Sequence, residues 1–241
     1  MKKSIMIALF GLVGLAGCKD NVQKPKVRYT TAAKKTAAPK RVDSTQIKVA
    51  DLPVLMDGTQ YLIHPVGDIR IYDDSSREYG SSRTNSSVSY AISNYNRYEI
   101  TGYFENLKFQ HVDSTALRPL TKEKIQIQTV TYLNTTAQRT KKQLLLYTLV
   151  DNDTNQDGKV DANDIKAFYI SNINGTGFKK LSGDMQELLD WNVIDAQNRV
   201  YFRTLEDINK NGAFDKNDAV HYHFVNLASA DFKVTDYEPV Q

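Results

Sequence analysis

The chain carries one acidic pattern twice. Residues 153–164 read DTNQDGKVDAND and residues 207–218 read DINKNGAFDKND, beginning 54 residues apart. Asp, Asn, Gly, Asp, Asn and Asp fall at the same places in both. The flanks match in kind: LYTLV and VYFRT precede the two stretches, FYISNI and YHFVNL follow them, and Phe178-Lys179 answers Phe232-Lys233. An earlier run, VDSTALRPLT at 112–121, parallels INGTGFKKLS at 173–182. The body therefore reads as three related units ending near Thr121, Ser182 and Thr235. A repeated unit of this size buries its apolar face by stacking on its neighbours.

The units are made of strands. IQIQTVTYL (125–133), LLLYTLV (144–150), FYISNI (168–173), RVYFRTL (199–205) and HYHFVNL (221–227) are rich in β-branched and aromatic residues. Turn formers such as Asn134, Asn174-Gly175 and Gln197-Asn198 separate many of them. No long helical periodicity is present, and only MQELLDW near residue 185 hints at a turn or two of helix. Residues 73–89 are a Ser-rich polar loop. The expected class is all-β, with antiparallel four-stranded units and the two acidic loops lying between strands. In the third unit the strands fall near 186–194, 199–205, 219–227 and 231–235, and residues 124–182 give four in the same order.

Each acidic loop resembles an EF-hand calcium loop, with oxygens at positions 1, 3, 5, 7, 9 and 12 and Gly at position 6. The resemblance implies two Ca²⁺ sites. The first would use Asp153, Asn155, Asp157, the Lys159 carbonyl, Asp161 and Asp164. The second would use Asp207, Asn209, Asn211, the Ala213 carbonyl, Asp215 and Asp218. Position 8 is apolar in both, Val160 and Phe214. Bound charge would relieve the crowding of Asp153, Asp157, Asp161 and Asp164; the competing reading is a metal-free, Asx-rich turn. Position 12 is Asp in place of the longer bidentate Glu, which points to weaker binding, about 10⁻⁴ to 10⁻³ M as in extracellular modules. EF-hands and dockerins follow such loops with helices, whereas IKAFYISNI reads as strand. That argues against a calcium sensor and against a dockerin.

The amino-terminal region bounds the location. Residues 1–17 combine Lys2 and Lys3 with a short apolar run, as in a secretory signal peptide. Leu15-Ala16-Gly17-Cys18 resembles a bacterial lipobox, which implies cleavage before Cys18 and its acylation; the alternative is an ordinary signal peptide containing a cysteine. Cys18 is the sole cysteine in 241 residues, so no internal disulfide is available. From residue 18 to 50 the sequence reads as a disordered basic tether, with nine Lys or Arg against Asp20 and Asp43. Residues 51–241 carry 20 Lys or Arg and 26 Asp or Glu, a net of −6. A nucleic-acid binder needs a basic face on its folded part, so that class is set aside.

The segment DWNVIDAQNRVYF (190–202) resembles a blade of a TolB-like propeller. Three units fall short of the four blades a closed propeller needs, so a stack of blade-like sheets is expected. The body is also similar to uncharacterised lipoproteins of Gram-negative bacteria that share the lipobox, the paired loops and the WNVI…YFRTLED run. That similarity implies a lipid-anchored protein of the cell envelope, and Lys19 in place of Asp after Cys18 resembles the sorting pattern of outer-membrane lipoproteins, with the periplasmic face and the surface both open. Trp191 is expected in the core or between sheets. His221 and His223, two apart on a strand, share a face and form a minor candidate for a transition metal. There is no Gly-x-Ser-x-Gly, His-Glu-x-x-His or phosphate loop. Two functions stay open: a calcium-stabilised binding or structural module holding an envelope protein or glycan, and a hydrolase acting on glycan or peptide at a seam between sheets.

Overall fold

A computed structural model describes residues 25–29, 46–70 and 92–240 of the chain. The signal peptide, Cys18, most of the tether and the Ser-rich loop lie outside the described residues. The protein is all-β, built from three antiparallel sheets, none closed into a barrel.

The first sheet holds β1 (Gln46–Ala50), β2 (Val54–Leu55), β3 (Tyr61–Arg70), β6 (Asn106–His111) and β7 (Arg118–Pro119), in the order β1-β3-β6-β7 with β2 also on β3. The second holds β4 (Ser93–Tyr95), β5 (Glu99–Phe104), β8 (Gln126–Tyr132), β9 (Leu144–Val150), β10 (Lys166–Asn172) and β11 (Lys179–Lys180), in the order β11-β10-β9-β8-β5-β4. The third is β12 (Gln186–Ile194), β13 (Arg199–Glu206), β14 (Ala219–Asn226) and β15 (Val234–Asp236), each paired with the next.

Sheet two is the middle layer, and β9 shows why. Its LLLYTLV run is buried on both faces. Leu145, Tyr147 and Leu149 meet Ile63, Leu107 and Phe109 of the first sheet, while Leu144 and Leu146 belong to a second cluster with Val200, Phe202 and Val225 of the third. A strand covered on both sides needs a continuous apolar run instead of an alternating one. Trp191 bridges the second seam, stacking on Phe168 at 5.7 Å. The stack of blade-like sheets is the observed arrangement.

Several expectations are corrected in detail. Only the third sheet has four strands. Residues 124–182 supply four strands in sequence order, but β5 pairs with β8 through Ile100–Val130 and carries β4 with it, extending that sheet to six. Asn134 begins a short helix, α1 (Asn134–Thr140), instead of a turn. MQELLDW is not helical; Met185 is in a turn and the rest lies in β12. Finally, the spacer expected through residue 50 gives way in two places. Gln46–Ala50 pairs along its length with β3, and residues 25–29 are docked on the body.

Candidate cation-binding loops

The first acidic loop joins β9 to β10 and the second joins β13 to β14, each linking two adjacent strands of one sheet. Most of their hydrogen bonds recur position by position. The position 5 amide donates to the position 1 and position 3 side chains: Asp157 to Asp153 and Asn155, Asn211 to Asp207 and Asn209. The Gly158 amide donates to Asp153 at 2.8 Å and the Gly212 amide to Asp207 at 2.7 Å. Position 7 donates to position 5, and position 9 to position 12, in both loops. These are Asx turns, in which a short carboxylate or amide takes up its own nearby backbone donors. Position 4 stands at φ 58° (Gln156) and 56° (Lys210), and position 6 at 87° (Gly158) and 85° (Gly212). The position 6 conformation is one that glycine adopts without strain.

The loops differ at their last residue. Asp164 is buried at 1 % exposure, and its Oδ1 accepts from the Thr154 amide at 2.8 Å and the Asn155 amide at 3.0 Å, with the Thr154 hydroxyl oxygen 3.2 Å away. Position 2 of the second loop is Ile208, which has no hydroxyl to offer. There Asp218 Oδ1 is buried with no hydrogen-bond partner. A buried oxygen left unpaired costs about 1–3 kcal/mol, more when charged. A cation at the loop centre would satisfy it. Among the described residues no three His, Cys, Asp or Glu side chains form a metal cluster. A cation here would also draw on Asn155, Asn209 and Asn211 and on the Lys159 and Ala213 carbonyls, the all-oxygen set that a hard divalent ion takes.

A segment that sequence reasoning assigned to the tether lies against both loops. The Lys26 amide donates to Gly212 O at 3.0 Å and the Arg28 amide to Thr154 O at 2.9 Å. The Thr154 hydroxyl returns a bond to Lys26 O at 2.8 Å, and Gln156 Nε2 donates to Arg28 O at 2.9 Å. Lys26 Nζ pairs with Glu187 at 2.8 Å. Val27 is 1 % exposed. Gly212 is required at this contact, because a Cβ there would stand 2.5 Å from Val27 O. Tyr29 reaches the backbone oxygen of Asp207 at 3.5 Å, and burial, then the Asp207 charge, pushes its phenol up to about 12.

The other candidates resolve as follows. His221 and His223 do share a face, with ring centroids 6.2 Å apart. Yet His221 Nε2 is 2.7 Å from Glu206, and both nitrogens of His223 are engaged, by Thr204 at 3.0 Å and Asp236 at 2.7 Å. The Asp236–His223–Thr204 line has the order of an acid, a base and a nucleophile, but Thr204 is 0 % exposed and meets no substrate. A groove of about 700 Å³ between the second and third sheets is bordered by Lys142 and Lys179. Their ammonium groups tie the sheets together by donating to Ala228 O and Ser229 O, and to Asp231 O and Phe232 O. A carboxylate pair that the sequence could not single out, Asp68 and Glu105, borders a cleft of about 190 Å³ beside Val160. Burial, then the Glu105 charge, raises the Asp68 carboxyl above its usual range, and Lys48 pairs with Glu105. No known protein family, curated protein or solved structure matches the chain.

Proposed function

We propose that this protein is a lipid-anchored lipoprotein of the bacterial cell envelope, on the outer membrane, whose β body is stabilised by two Ca²⁺ ions and serves as a binding or structural module for an envelope protein or glycan. The observation that carries the calcium assignment is the orphaned Asp218 Oδ1, set in a loop that shares the Asx-turn bonds of its twin but not the bonds its twin makes to Asp164 Oδ1. The anchor rests on the lipobox at Cys18 and the envelope placement on the signal peptide before it. Each loop joins neighbouring strands of a packed sheet, so binding would appear as stability and not as a large change of shape.

Calorimetry tests the reading. A folded ligand site held at a hundred-fold excess over its Kd gains about 2.7 kcal/mol. For a body of this size that is a rise in Tm of roughly 5–10 °C. Asp153→Ala and Asp207→Ala should each remove part of it, and Mg²⁺ should substitute poorly because it demands tighter octahedral geometry. Neither calcium binding nor a calcium-dependent melting shift in the chelator-stripped protein would leave the loops as Asx turns alone.

The second reading, a hydrolase, draws on Asp68 and Glu105 at the rim where the first two sheets meet. The cleft beside them is below the roughly 300–1,000 Å³ of small-molecule sites. The centres of both seams are filled by buried apolar side chains. The groove of about 700 Å³ between the second and third sheets is large enough. Asp231 is the single carboxylate on its rim, however, and Lys142 and Lys179 donate to backbone carbonyls, so no acid–base pair converges there. The module is favoured over the enzyme.

A further inference from the structure

We infer that the seam between the two acidic loops is a binding site for an extended segment of the same chain, residues 25–29, and that its occupancy is coupled to cation loading of both loops. This rests on the calcium reading above and goes beyond it in naming a ligand and a linkage.

The segment is held by backbone groups on two separate loops. Its Lys26 amide is bonded to Gly212 O, and its Arg28 amide and Lys26 carbonyl are bonded to Thr154. Those two anchor residues are themselves tied to candidate cation ligands. The Gly212 amide donates to Asp207 at 2.7 Å, and the Thr154 amide donates to Asp164 at 2.8 Å. One residue therefore lies between the docked segment and a cation-binding carboxylate on each side. Crowded carboxylates in an empty loop repel, and any loosening of Asp207 or Asp164 displaces the groups on which the segment sits. Conversely, a Cβ at Gly212 would stand 2.5 Å from Val27 O, so the segment packs closely on the second loop only in the conformation that this glycine turn provides. Coupling of this kind is reciprocal: calcium must favour docking by the factor by which docking favours calcium.

The test uses the full chain. Trypsin cuts after Lys26 and Arg28 only when the segment leaves the seam. Cleavage at those two bonds is followed by mass spectrometry in 2 mM Ca²⁺ and in chelator, normalised to an unstructured reference peptide in the same tube. We expect calcium to slow it about five-fold or more, within the ordinary range of coupling. Val27→Asp should weaken calcium binding by a similar factor while the far-ultraviolet β signal persists. Val27→Ala serves as the milder variant and should fall between the two. If calcium binds but cleavage is equally fast with and without it, the coupling is overturned and the calcium reading stands. If calcium does not bind at all, the calcium reading fails and takes this inference with it.

Discussion

At the scale of single residues, Asp164 and Asp218 occupy the same place in twin loops and do different work. Asp164 Oδ1 satisfies two buried amides, whereas Asp218 Oδ1 satisfies nothing. In chelator, Asp164→Ala should cost about 3 kcal/mol, since two buried amides lose a charged acceptor. Asp218→Ala should cost under about 1 kcal/mol in chelator, because it discards an unpaired oxygen along with one bond. In calcium each should abolish the melting shift of its own loop. Urea titration in both buffers checks the contrast, and equal losses in chelator would refute it. The loops were readable in the sequence because an Asx turn is local, every bond joining residues two to five apart. The Asp164–Asp218 asymmetry was not. It depends on how one carboxylate packs, and the change from Thr154 to Ile208 shows that only when the loop is folded.

Among the elements, β9 and β10 share one aromatic cluster. Tyr147 and Tyr169 are cross-strand partners, and Phe178 packs on both, edge-on to Tyr147 at 5.3 Å and stacked on Tyr169 at 4.6 Å. Burial raises both phenols well above their ordinary value, with the Asp151 carboxylate adding to the effect at Tyr169. A phenol whose folded pKa is raised adds stability that is whole below about pH 10 and is lost as pH climbs through the folded value. Both residues should therefore ionise together with unfolding, as one steep alkaline step in absorbance at 295 nm. Independent titration near pH 10 with the β signal intact would contradict this. The strand runs themselves were visible from their aromatic and β-branched residues. The false helical hint at MQELLDW has a definite origin. A bulge between Leu188 and Asp190 resets the alternation, so Leu188 and Trp191, three apart, both pack into the second cluster. That spacing imitates a helix.

For the whole molecule, the shared middle sheet predicts one cooperative transition. Trp191 is the sole tryptophan and sits on the seam between the second and third sheets, so its fluorescence should melt at the same temperature as the β signal in circular dichroism. Two separated midpoints would show that the third sheet unfolds on its own. Lipidation is checked directly: Cys18→Ser should abolish palmitate labelling and release the protein from membranes. The repeat marks the three layers in the sequence, but β4 and β5 join the second sheet through long-range pairing that no local pattern carries. Residues 25–29 are likewise unmarked, because their contacts run mainly through backbone groups that any sequence possesses. Their docking has a mechanical consequence. With Cys18 acylated as proposed, seven residues separate the lipid from Pro25, a leash of at most about 25 Å. Once the segment is released, the next attachment among the described residues is Gln46, 28 residues from Cys18, for which the fully extended limit is about 100 Å. Envelope calcium would then act as a winch, setting how far the β body can stand from its membrane.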